Sequence, residues 1–165
     1  MKLLFLCASL WIFLIGIGAF SEEGRSGNEI RIYAMGGDIR PIVASLNRRL
    51  GSEGLALTIV DAADEADVQV TFVDVVEGEP SYAGASSAFQ GRIEIERGRE
   101  ADGDVLLHEM LHCAGVDHED DPTSLMYPNT GAGQQLKPHH VEELRRLAGI
   151  TTFGRIIAQL RLILS

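Results

Sequence analysis

Cysteine is almost missing from this chain of 165 residues, which has only Cys7 and Cys113. Cys7 lies in an apolar leader and lacks the small-residue approach of a lipidated cysteine. With the leader removed, Cys113 stands alone and no internal disulfide forms. Cys113 reads as a small buried hydrophobe rather than a ligand or redox switch. Aromatic residues make up 6% of the chain, so there is no platform on which bases could stack. Basic residues are outnumbered, 14 Lys+Arg against 24 Asp+Glu, for a net charge of −10. That balance argues against nucleic acid as a partner and reads as solubility. Histidine is absent between Ser21 and Asp104, and all five lie from His108 onward. There are no internal repeats.

The length suits one domain around a single core. Lys2 precedes an uncharged apolar run from Leu3 to Phe20. Ala19 and Ser21 offer small residues where a signal peptidase reads, which predicts cleavage before Glu22. The same run is long enough to span a bilayer, so a membrane anchor is the alternative. In both cases the rest of the chain is expected outside the cytoplasm, secreted or tethered. The expected division is a signal peptide or anchor over 1–21, a linker over 22–28, one domain over 29–149 and an amphipathic tail over 150–165.

Within the domain, Ile30, Ile32 and Ala34 alternate with polar neighbours as a strand does. Asp38 is placed to cap a helix bearing Ile39, Ile42, Val43, Leu46 and Leu50, with Gly51 as its stop. Strands are expected over Leu55–Val60, Val68–Phe72, Gly84–Phe89 and Ile93–Ile95, the thinly clothed third suiting a sheet edge. Asp61–Asp67 carries four acids and reads as a solvated connection. Calcium at Asp61, Asp64 and Asp67 is unsupported, because the spacing is not that of a calcium loop. Asp102 or Asp104 caps a helix with Leu106, Leu107, Met110, Leu111 and Ala114. Pro138 opens a last helix that runs to Gly149, with Leu136 stapled onto Val141. In the tail, Ile156, Ile157, Leu160, Ile163 and Leu164 share one stripe. The stripe is expected to pack back onto the domain, with a membrane surface or a partner as alternatives.

One stretch carries chemistry. His108, Glu109, His112, Gly115 and His118 spell HExxHxxGxxH. Four residues apart on a helix, His108 and His112 share a face and can both reach one zinc ion. Gly115 can take the left-handed conformation that turns the chain and returns His118 as third ligand. Three protein nitrogens leave one tetrahedral position open for water, as in a catalytic zinc site. Glu109 is placed to act as general base towards that water.

With Ser124-Leu125-Met126-Tyr127-Pro128 following, the chain resembles the metzincin metallopeptidases, and among them the matrixins. The resemblance also rests on Ala66-Asp67-Val68-Gln69-Val70-Thr71-Phe72 and on the last helix, and it covers roughly residues 28–149. It implies an α+β, metzincin-like (zincin) catalytic domain: a twisted mixed sheet with an antiparallel edge strand, three main helices, and an active-site helix followed by a methionine turn. It implies Met126 beneath one catalytic zinc, and Tyr127 and Pro128 walling the pocket beyond the cut. It implies a secreted zinc endopeptidase, expected to be monomeric, acting on protein or peptide. The alternative is a zinc-carrying binding or adhesion module without turnover. Glu119 departs from the Ser or Thr of matrixins and is similar to astacins. His139-His140 replace a pair of acids that can anchor a processed N-terminus, and are expected to be exposed. No prodomain cysteine and no structural zinc site of the vertebrate matrixin kind is expected.

Overall fold

Among the described residues, five strands form one mixed sheet: β1 (Glu29–Met35), β2 (Ala56–Ile59), β3 (Val68–Val73), β4 (Gly84–Ser87) and β5 (Arg92–Glu96). Their order is β2-β1-β3-β5-β4. β1 runs parallel to β2 and β3, β3 runs parallel to β5, and β4 closes the edge antiparallel to β5. The computed structural model describes residues 28–76, 84–87, 91–99, 102–129, 131 and 133–148. The expected leader over 1–21, most of the linker and the tail over 150–165 lie outside the described residues. Among those described, no helix is long and apolar enough to cross a membrane.

The strands bury alternate residues. Ile30 and Ile32, Val68, Val70 and Phe72, and Ile93 and Ile95 are all buried, while Arg31, Gln69, Arg92 and Glu94 between them are not. A period of two puts the buried set on one face of the sheet, where the helices lie. Helix α1 (Arg40–Leu50) contributes Ile42, Val43, Leu46 and Leu50 to that core. Its neighbour α2 (Gly103–Cys113) is buried at Val105, Leu106, Leu107, Met110 and Leu111. A third helix, α3, spans 138–148 and adds Val141, Leu144, Leu147 and Ala148. The two earlier helices meet closely at Gly103, where a Cβ would stand 3.0 Å from Leu46 Cδ2. Each fully buried Leu or Ile side chain here contributes about 1.5–3 kcal/mol, so the histidine-bearing helix is among the most firmly seated parts of the chain.

Several local expectations need correction. Asp38 is not the N-cap residue; that position is Ile39, and Asp38 takes the Arg40 N–H at 3.0 Å from one residue further out. Gly51 is the C-cap of α1 as expected, but at φ −60° it does not turn the chain. The chain continues through a 3-10 turn (Gly51–Glu53), and Gly54, at φ +70°, is the residue that reverses it. Asp67 is not solvated but buried, its carboxylate accepting the Arg31 N–H at 2.8 Å. A carboxylate beside a strand start can take a ladder donor that would otherwise go unpaired. The edge opposite β4 is closed in a comparable way. Asn47 of α1 donates to Leu57 O at 2.8 Å and accepts the Leu57 N–H at 2.7 Å, so its amide pairs with β2 as a strand would.

Candidate metal centre

Helix α2 begins on Asp102, whose carboxylate accepts the Val105 N–H, and it runs apolar nearly all round. It ends by a two-bond stop. The Gly115 N–H reaches His112 O at 2.9 Å, and the Val116 N–H reaches Leu111 O at 3.0 Å. That pairing closes a helix on a left-handed residue, and Gly115 has φ +88°. A Cβ at Gly115 would meet nothing within 4 Å. The requirement for glycine is therefore one of backbone conformation, not of space.

The stop does more than end the helix. The carbonyl it leaves at Val116 lies 2.7 Å from His112 Nδ1. On the far side, Leu125 O lies 2.8 Å from His108 Nδ1. A carbonyl can only accept, so both Nδ1 atoms carry the proton and both Nε2 atoms present a bare lone pair. Burial lowers the pKa of His108 to about 4 and pulls that of His112 down as well, which keeps both rings neutral at pH 7.

The three rings converge. Nε2 of His108 lies 3.1 Å from that of His112 and 3.2 Å from that of His118, and His112 to His118 is 3.1 Å. Two neutral rings with bare nitrogens turned towards each other repel unless a cation sits between them. A tetrahedral zinc with Zn–N of about 2.0–2.1 Å needs nitrogen–nitrogen edges of about 3.3–3.4 Å, close to those observed. The donor set therefore fits zinc in geometry, in protonation and in the orienting bonds behind two of the rings.

The other expected site residues are placed as follows. Glu109 follows His108 on α2 and is buried. Met126 is fully buried in the core; its N–H donates to Ser124 Oγ and its carbonyl accepts the Glu119 N–H at 2.8 Å. Tyr127 is half-buried with its N–H on Ser124 O, and Pro128 is exposed. Cys113 is buried, and burial, with Glu109 nearby, pushes its thiol pKa up to about 12, so it packs as an inert thiol.

Residues 119, 137, 139 and 140 form a second cluster that the sequence reading did not find. His139-His140 were expected to be exposed. His139 is exposed, but His140, the third residue of α3, is fully buried. The Lys137 N–H donates to His140 Nδ1 at 3.1 Å, so the ring proton must sit on Nε2, which reaches Glu119 Oε1 at 3.0 Å. His139 Nε2 and Lys137 Nζ each lie 2.6 Å from the same carboxylate. The Lys137 ammonium above all, with the Ser124 hydroxyl and the two histidines, holds the Glu119 carboxyl well below the usual carboxylate range. Glu119, His139 and His140 also bring ligand-type atoms within 4.8 Å of one another. Their protons point inward, however, and an ammonium already supplies the cation. This is a hydrogen-bonded ion-pair network.

No protein-family model matches this sequence, and no curated protein does. Among solved structures, the chain is similar to archaemetzincin from Archaeoglobus fulgidus complexed with malonate. The TM-score is 0.42 at 11% identity, over 70% of this chain and 91% of that one. It is likewise similar to a zinc-dependent peptidase from Methanocorpusculum labreanum, with a TM-score of 0.43 at 14% identity, over 70% of this chain and 99% of that one. By its own order of elements, the architecture is α+β: among the described residues, a mixed sheet with an antiparallel edge strand and three helices, His108 and His112 on the middle one, with Met126 buried in the turn beyond it.

Proposed function

We propose that this chain is an exported, zinc-dependent endopeptidase of matrixin type, with His108, His112 and His118 as ligands and Glu109 as general base. The observation that carries the reading is the convergence of three Nε2 atoms 3.1–3.2 Å apart, two of them shown by their Nδ1 bonds to be unprotonated. Such a set binds a divalent cation and leaves a coordination position open.

When bound, zinc supplies a water acidified towards neutral pH and an electrophile for a peptide carbonyl. Glu109 takes the proton released as the water attacks the carbonyl carbon, and passes it to the departing amine as the C–N bond breaks. A glutamine there could accept a hydrogen bond but not the proton. Burial keeps His108 and His112 neutral, and the bonds from their Nδ1–H groups to Leu125 O and Val116 O fix the tautomer and angle of each ring. The peptide substrate adds to the outer edge of β4 as a further strand. The opposite edge is not equivalent, since Asn47 already pairs with β2 there. Export rests on the Leu3–Phe20 leader, secretion following if it is cleaved and tethering if it is kept.

The test is cleavage of a quenched-fluorescence peptide library by the zinc-loaded full chain. Turnover is expected, sensitive to chelator and lost in Glu109→Ala with zinc retained. Stoichiometric zinc without turnover on any peptide would mean a zinc-carrying binding module instead.

A further inference from the structure

The three ring ligands are not held alike. His108 and His112 sit on a buried helix and each donates Nδ1–H to a carbonyl. His118 is exposed, in a stretch without regular secondary structure, and among the described residues nothing accepts from its Nδ1. What is fixed is its neighbour. The Glu119 N–H donates to Met126 O at 2.8 Å, which ties the backbone to the methionine turn. The Glu119 carboxylate receives Lys137 Nζ at 2.6 Å, His139 Nε2 at 2.6 Å and His140 Nε2 at 3.0 Å, all from the start of α3. His140 in turn is locked by accepting the Lys137 N–H.

We propose that Glu119 is a positioning residue for the metal centre: its carboxylate, clamped by Lys137, His139 and His140, sets the place of His118 in the absence of a bond to the His118 ring itself. The helix α3, which contributes no ligand, thereby acts on the metal site through one residue. The cation in the clamp is internal to the chain, so the clamp forms whether or not the N-terminus is processed. The inference rests on the zinc reading above.

The experiment uses the full chain with zinc and cobalt(II) as probes. Zinc affinity is measured by chelator competition, and coordination geometry by the visible absorption of the cobalt form. Glu119→Ala is expected to lower zinc affinity about 10–100-fold and to change the cobalt spectrum, with circular dichroism showing the metal-free chain still folded. Glu119→Gln, which keeps an acceptor for His140, is expected to recover part of both. Should Glu119→Ala fail to fold, Lys137→Met releases the clamp from the other side and is expected to move affinity and spectrum in the same direction, several-fold. Wild-type affinity and an unchanged spectrum in the folded variants, with only the melting temperature lowered, would overturn the proposal and leave Glu119 a purely structural residue. A wild-type chain that takes up neither metal would overturn the zinc reading itself.

Discussion

Two groups of three ligand-type side chains lie among the described residues, and by proximity alone either could be taken for a metal site. His108, His112 and His118 converge within one short distance, and so do Glu119, His139 and His140. The hydrogen bonds behind them separate the two. Carbonyls from Leu125 and Val116 draw the protons of His108 and His112 to the outside and leave lone pairs inside. The amide of Lys137 does the reverse to His140, forcing its proton inward onto a carboxylate that already holds an ammonium. A metal site is thus defined by where the protons are, and those are set by groups that never touch the metal.

The sharpest way to break that comparison is to remove one histidine from each group. His112→Ala is expected to cost roughly a thousandfold or more in zinc affinity, and all activity with it. His140→Ala is expected to keep one zinc per chain and to lose stability, about 1–3 kcal/mol, from the Lys137 N–H and Glu119 carboxylate left without their partner. Zinc content and denaturant unfolding measured side by side would show whether the two histidines differ in kind.

Next in size is the carboxylate of the first group. Glu109→Gln is expected to lower peptide hydrolysis about 10²–10⁴-fold with zinc affinity close to wild type. Loss of zinc in that variant would make Glu109 part of the scaffold.

A pH titration probes the neutral rings. The pKa of His108 is about 4 in the folded chain against 6.5 for an ordinary imidazole. Between those values the unfolded chain takes up a proton that the folded, metal-free chain refuses, so stability falls as pH falls from 6.5 towards 4. The full effect is roughly 3 kcal/mol. His112 and His140, also lowered by burial, add in the same direction. Urea unfolding of the metal-free form at several pH values should show this slope, and His108→Leu should make it shallower.

The smallest expected effect is at Gly115. Because a Cβ there meets nothing, only the left-handed backbone is at stake. Gly115→Val should cost about 1–3 kcal/mol and weaken zinc binding, while Gly115→Asn, which tolerates that conformation, should lose far less. Equal losses in the two would mean that the site depends on space after all.

The first group was legible in the sequence because its logic is local. Two ligands one helical turn apart and a glycine at the stop need only the helix period to be recognised. The strands were legible for the same reason, since Ile30/Ile32 and Ile93/Ile95 alternate whatever they pair with. The second group was not legible. Glu119 and His140 are 21 residues apart, and only the docking of α3 brings them together. A signal did exist: an acid directly after a ligand, and a Lys-Pro-His-His start to a helix that lacks the usual capping acid. Asp67 was hidden in a similar way, as one of several acids in a run, its role set by the Arg31 N–H on a neighbouring strand. Gly51 was legible as the end of α1, but the reversal at Gly54, one 3-10 turn later, was not.

Metal analysis of the purified full chain is the most direct test. One zinc per chain is predicted in the wild type and in His140→Ala, and none in His112→Ala. A wild-type chain without stoichiometric zinc, or a His112→Ala chain that retains it, would contradict the assignment of the three histidines as one metal centre.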